Sequence, residues 1–241
     1  MKTIYFVILF LIANSSVVNA QQRDIGSWNI LNLKYKVNEK WSLMGESQLR
    51  SLKLYSHFHY YEYKVLVNYY LNKNVKFALG GGSYQTYKEG GNFILPKNND
   101  EFRLSPQLIL LQSIGKLKIE QRYRFESRFS SNGYRNRYRY RLGIFYPFGK
   151  EKKDGYKPFQ LSVSNELFFT DSEPYFERNR LLFTLNFKTS KSSTIQVGYL
   201  HQFDYKINDE TGKDFIVLGF YYEIFRKSSK EKEIEIEIKD N

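Results

Sequence analysis

The chain has 241 residues, a formal charge of +12, 18% aromatic residues and no cysteine. The lack of cysteine excludes a disulfide scaffold, a thiolate zinc site and a cysteine nucleophile. The aromatic content argues against disorder, and the low mean hydropathy rules out a multi-span helical protein but not a membrane β-barrel, where half of each strand avoids lipid.

Residues 1–20 read as a secretory signal. Lys2 is the positive start, Ile4 to Ala13 the apolar stretch, and Val18-Asn19-Ala20 a small-x-Ala cleavage site. The apolar stretch is too short for a spanning helix. No Cys follows the site, so no lipoprotein anchor is expected. The expected organisation is a signal cleaved after Ala20, a β-domain over 21–226 and a charged tail over 227–241.

From residue 25 onward the dominant spacing is two. It predicts eleven strands at 27–37, 41–52, 58–71, 75–88, 101–113, 117–130, 134–147, 159–170, 178–188, 194–204 and 214–225. In the third, Tyr61, Tyr63, Val65, Val67, Tyr69 and Leu71 oppose Glu62, Lys64, Leu66, Asn68 and Tyr70. In the fourth, Gly80-Gly81-Gly82 predicts a bulge, a bend or a close approach of side chains. Pro106 removes a ladder donor from the fifth and predicts a bulge or irregularity. In the sixth, Leu117, Ile119, Tyr123, Phe125 and Phe129 share one face, and Lys118, Glu120, Arg122, Arg124, Glu126 and Arg128 share the other. A helix would scatter those charges, whereas a strand sorts them onto one side. Ser130-Ser131-Asn132-Gly133 then turns the chain into the seventh strand. There Tyr134, Tyr138, Tyr140, Leu142, Ile144 and Tyr146 oppose Arg135, Arg137, Arg139 and Arg141. In the eighth, Phe159, Leu161, Val163, Leu167 and Phe169 oppose Gln160, Ser162, Ser164 and Glu166.

These segments are longer than an ordinary strand of about 5–6 residues. Their connections alternate between short (Asn38-Glu39-Lys40, Asn72-Lys73-Asn74, Gly115-Lys116) and longer (53–57, 88–100, 171–176, 205–213), with 149–158 as the exception. The predicted architecture is an all-β, antiparallel transmembrane barrel of 10–12 strands, nominally 12 because eleven cannot close a fully antiparallel barrel. Glu233-Ile234-Glu235-Ile236-Glu237-Ile238 reads either as a twelfth strand or as a solvated tail.

A secreted sandwich or lipocalin-like barrel would also alternate, but with its apolar face inward. Strand length favours the membrane form. So do aromatics near segment ends, which a lipid-interface girdle requires: Trp28, Trp41, Tyr69, Tyr70, Tyr84, Tyr87, Tyr146, Phe148, Phe168 and Phe169. The segment 214–225 ends in aromatics, as does the last strand that barrel-assembly machinery recognises.

Gly26-Ser27-Trp28, Gln48-Leu49-Arg50, the run Arg122 to Arg128, Asn136 to Arg141, Asn165-Glu166-Leu167-Phe168, Asn179-Arg180 and Gly198-Tyr199 occur in this order along the chain. The ordered set resembles the "domain of unknown function 2490" family of exported proteins of Gram-negative, Bacteroidetes-type bacteria. The resemblance implies an outer-membrane β-barrel, hence a location in the cell outer membrane, and carries over no activity.

The chemistry-bearing candidates form one charged network facing the lumen: Arg122, Arg124, Glu126, Arg128, Arg135, Arg137, Arg139, Arg141, Glu166 and Arg180. It reads as a structural ladder of Arg forks on carboxylates, with Glu46 and Glu62 as further partners, or as a path for a small anionic solute. The large Arg and Tyr side chains argue against a wide pore. Expected partners are outer-membrane lipid and lipopolysaccharide, the latter through the excess positive charge, and the assembly machinery during insertion. Export argues against a nucleic-acid partner despite the Arg/Tyr alternation. The runner-up is a lipid-modifying hydrolase or acyltransferase with His57 or His59 beside Ser56 or Ser51 at the rim. No nucleophile elbow is present, so no catalytic residue is assigned. No cofactor or metal is expected, since His57 and His59 lack a carboxylate at ligand spacing.

Overall fold

The computed structural model describes residues 24–205 and 211–226. The expected signal at 1–20 and the alternating tail at 233–238 lie outside these residues. Eleven strands follow in order: β1 (Ile25–Lys36), β2 (Trp41–Lys53), β3 (Ser56–Tyr70), β4 (Val75–Lys88), β5 (Ile94–Ile114), β6 (Leu117–Ser130), β7 (Gly133–Phe148), β8 (Phe159–Thr170), β9 (Phe176–Lys188), β10 (Ser193–Asp204) and β11 (Thr211–Phe225). They form one closed barrel in which each strand pairs with its chain neighbours and β1 meets β11.

Among the described residues the strand count is eleven, inside the expected range of 10–12 and one below the nominal value, and the parity problem has a simple solution. Every neighbouring pair is antiparallel except β1 and β11, which run parallel in register from Ile25↔Asp214 to Lys36↔Phe225. With an odd number of up-and-down strands the first and last point the same way, so a parallel seam is the only way to close. Closure leaves no unpaired edge. It also sends the chain in at one end of the barrel, at Ile25, and out at the other, at Phe225.

The expected difference in loop length between the two ends is absent. Connections at the Ile25 end are 54–55, 89–93, 131–132, 171–175 and 205–210; those at the Phe225 end are 37–40, 71–74, 115–116, 149–158 and 189–192. Two loops expected to be long are shorter because pairing consumes them. β5 starts at Ile94 and continues the β4 ladder past a shift between Thr86 and Lys88. Pro106 brings the expected irregularity and no bulge: pairing with β6 lapses at Ser105 and Pro106 and resumes in the same register at Gln107↔Arg124.

The outward face is apolar all round. Leu31, Val65, Leu79, Leu104, Leu142, Leu161, Phe183 and Val197 are among its exposed residues. Aromatic clusters flank that band at both ends. Phe58, Tyr61, Tyr87 and Phe93, then Phe129 with Tyr134, and Phe169 with Phe176 ring the Ile25 end. Trp41 with Tyr69, then Tyr146, Phe148, Phe159 and Phe187, and Phe220 with Tyr222 ring the other.

Four aromatics expected on the girdle instead face inward. Trp28, Tyr84 and Phe168 are buried in the lumen, Phe168 completely. Their sequence parity matches that of the charged positions on the same strands, a signal that proximity to a strand end masked. Tyr70 likewise points inward, its hydroxyl approaching Ser42 Oγ at 3.5 Å. The lumen also holds two apolar clusters, Trp28, Leu200, Phe215 and Val217 in one and Leu66, Ala78 and Ile109 in the other.

The glycine run resolves as a close approach. The β3–β4 register passes through it unbroken, Lys64↔Gly82 to Leu66↔Gly80. A Cβ at Gly82 would lie 2.5 Å from the Lys64 Cβ and 2.6 Å from the Tyr63 carbonyl oxygen. Both belong to a ladder that cannot yield cheaply. Gly82→Val is therefore expected to lower the unfolding free energy by about 2 kcal/mol, read as a lower urea midpoint of the refolded barrel. Gly45→Val, with nothing within 4 Å of the added carbon, serves as the neutral comparison.

Candidate functional site

The β6–β7 hairpin sets Arg122 opposite Arg141, Arg124 opposite Arg139, Glu126 opposite Arg137 and Arg128 opposite Arg135. Three of these four cross-strand pairs oppose like charges, an arrangement that is destabilising by itself. Carboxylates at bridging positions offset it. Glu126 accepts from Arg137 Nε at 2.8 Å and from Arg139 Nη1 at 2.6 Å, with Arg124 Nη1 at 3.5 Å. From β8, Glu166 accepts both Arg139 Nε at 3.1 Å and Arg139 Nη2 at 2.8 Å, a fork-on-fork pair, and Arg122 Nη2 at 2.5 Å. Arg141 pairs with Glu120. Arg128 is held by Glu101 of β5, its Nη2 at 3.1 Å.

The remaining predicted residues sit less tightly. Arg135 lies at the Ile25 end with its side chain half exposed, 3.9 Å from Glu177. Arg180 donates from Nε to Gln202 at 2.8 Å and has no carboxylate within ion-pair distance among the described residues. Its guanidinium carbon lies 4.8 Å from the ring centres of both Trp28 and Phe168. Phe168 thus forms a hub, with Arg139 over it at 4.4 Å.

The expected roles of Glu46 and Glu62 need correction. Neither reaches the hairpin arginines. Glu62 binds Arg50 Nη2 at 2.9 Å and Lys64 at 2.7 Å, and Glu46 also binds Lys64. Glu101 and Glu177 serve the hairpin instead. Sequence reasoning missed them, along with Arg50, Arg103, Arg178 and Asp204. Arg50 and Arg103 do have the inward parity of their strands. What the alternation does not convey is which strands come face to face across the lumen.

The rim histidines do not assemble a relay. His57 Nδ1 lies 3.0 Å from Ser56 Oγ, but the two are chain neighbours and, among the described residues, no carboxylate is hydrogen-bonded to the ring. Ser51 is committed to Ser27 Oγ at 2.6 Å and to the Lys53 carbonyl. His59 faces the lumen, apart from His57, because the β2–β3 register shifts between Arg50 and Ser51. A His–Asp pair does occur elsewhere, His201 Nδ1 to Asp214 at 2.7 Å.

The family model for a protein of unknown function, DUF2490, matches residues 25–213. The chain belongs to this family. The match covers β1 through the start of β11 and includes every residue of the charged network. No curated protein matches the chain. For this DUF2490 member the family therefore gives ancestry, and the inward charge is the chemistry on which a function has to be argued.

Proposed function

We propose that this DUF2490 protein is an exported outer-membrane barrel whose lumen is a structural core and not an open passive pore. The observation that carries the reading is the inverted layering: an exposed apolar band between two aromatic girdles, wrapped around buried ion pairs. A soluble barrel places its apolar face inward; a lipid-facing one turns it outward. The strands also have the right length. Thirteen residues rise about 43 Å, or about 30 Å along the axis at a tilt near 45°, the thickness of a bilayer's hydrocarbon.

Three lines favour a closed lumen over a conducting one. Glu126 and Phe168 are wholly buried. The charged groups are tied to one another by direct hydrogen bonds. Apolar clusters share the lumen with them. Export through the 1–20 signal, insertion by barrel-assembly machinery and contact with lipopolysaccharide complete the reading.

Fractionation tests the location. The protein is expected in the outer-membrane fraction, with gel mobility that changes on boiling; a soluble, heat-insensitive protein would refute the proposal. In planar bilayers the purified barrel is expected to give no steady conductance. A sustained anion-selective current would transfer the reading to a channel.

A further inference from the structure

At the Ile25 end the lumen opens into a cavity of about 330 Å³, a size typical of small-ligand pockets. Its walls carry eleven Lys and Arg side chains and four Asp and Glu. Glu46, Glu101, Glu126 and Glu166 pair with wall residues from behind. Counting them leaves eleven cations against eight carboxylates, an excess of three. A structural ladder has no need of that excess, since a buried unpaired charge is strongly unfavourable.

The excess is visible atom by atom. Among the described residues Arg50 Nε and Arg124 Nε are buried without a hydrogen-bond partner, on residues no more than 9% exposed, and Arg128 Nη1 has only the Glu177 carboxylate at 3.8 Å, an ion pair beyond hydrogen-bond reach. Arg180, also a wall residue, has only neutral Gln202 as its hydrogen-bond acceptor among the described residues. Guanidinium donors with unused hydrogen-bonding capacity suit oxyanions, which accept two or more such bonds at once. Aromatic rings hold two of these forks in place: Arg50 lies 3.5 Å from the Trp28 ring centre and 4.0 Å from that of Tyr60, and Arg180 lies 4.8 Å from the Trp28 ring centre.

We infer that this cavity is a binding cup for a small oxyanion bearing at least two negative charges, of the phosphate or pyrophosphate class. The chemistry is shared by a free phosphorylated solute and by a phosphorylated lipid headgroup. The cup is a property of the closed barrel, so heat-modifiable mobility measured on the same sample reads the membrane proposal separately.

Trp28 provides the signal. The chain has two tryptophans, so Trp41→Phe leaves Trp28 as the sole emitter, stacked against Arg50. The detergent-solubilised Trp41→Phe barrel is titrated with inorganic pyrophosphate at constant ionic strength set by sodium chloride. A saturable change in emission is expected below about 10 mM. In a second arm the titrant is phosphatidic acid in the same detergent. Saturation by pyrophosphate alone assigns a solute, and saturation by both assigns a lipid headgroup.

Arg180→Gln in the same background is expected to weaken binding about tenfold or more, with mobility unchanged. Arg135→Gln, at the exposed mouth, cannot disturb the packed lumen and is expected to weaken it less. Absence of saturation in both arms would overturn the proposal, as would equal affinity in a folded Arg180→Gln barrel.

Discussion

Glu126→Ala is expected to destabilise the barrel by about 3–5 kcal/mol, the range for removing one partner of a buried ion pair. The side chain accepts from Arg137 and Arg139 and approaches Arg124, and it is 1% exposed. Its removal leaves like charges facing one another across the β6–β7 hairpin with less to separate them. Of the two forks it holds most closely, Arg137 retains Glu177 at 3.1 Å and Arg139 retains Glu166 at 2.8 Å. The loss should therefore fall within that range and not above it. Glu126→Gln keeps one acceptor oxygen and the volume, so a smaller loss is expected. The measurement is the urea midpoint of the refolded barrel. Because Arg139 bridges Glu126 and Glu166, Glu126→Ala and Glu166→Ala should be non-additive. A midpoint unchanged by Glu126→Ala would mean that the network is not a stabilising core.

Val65→Arg, on the outward face of β3, is expected to lower stability by about 2–4 kcal/mol in lipid vesicles. The same change at an exposed site of a water-soluble barrel is usually within about 0.5 kcal/mol of neutral. Val65 is 60% exposed and points away from the lumen, so only the surrounding medium can penalise the charge. Leu54→Arg provides the control: Leu54 is 58% exposed in the 54–55 connection at the barrel rim, where the penalty falls to about 0–1 kcal/mol. Equal, small effects at both positions would remove the membrane from the account. The contrast works because Val65 lies between two girdles of aromatics and Leu54 beyond one of them.

Much of this architecture was legible in the chain because a strand writes its two faces in alternate letters. Tyr61, Tyr63 and Val65 against Glu62, Lys64 and Leu66 show the outward and inward sets of β3 directly, and Arg135 to Arg141 do the same for β7. The misreadings share one cause. Trp28, Tyr84 and Phe168 were assigned by their position along a strand, whereas parity decides which way they point. The arginines of the hairpin were visible, but two of their five carboxylate partners were not. Glu101 reaches Arg128 through the β5–β6 register, and Glu177 on β9 reaches Arg137 on β7 past the intervening β8; alternation records neither.

The sequence by itself thus determined the strands, their inner and outer faces and the confinement of charge to one side, since each of these is a property of consecutive residues. Tertiary structure alone decided the parallel β1–β11 seam, the pairing of arginines with carboxylates on other strands and the cationic cup at one end. These depend on how many strands close the cylinder and on which inward side chains then meet across it. Local alternation holds no record of either. Part of the positive charge that the composition announces is tied into ion pairs inside the barrel, and eleven cations against eight carboxylates are gathered around one cavity.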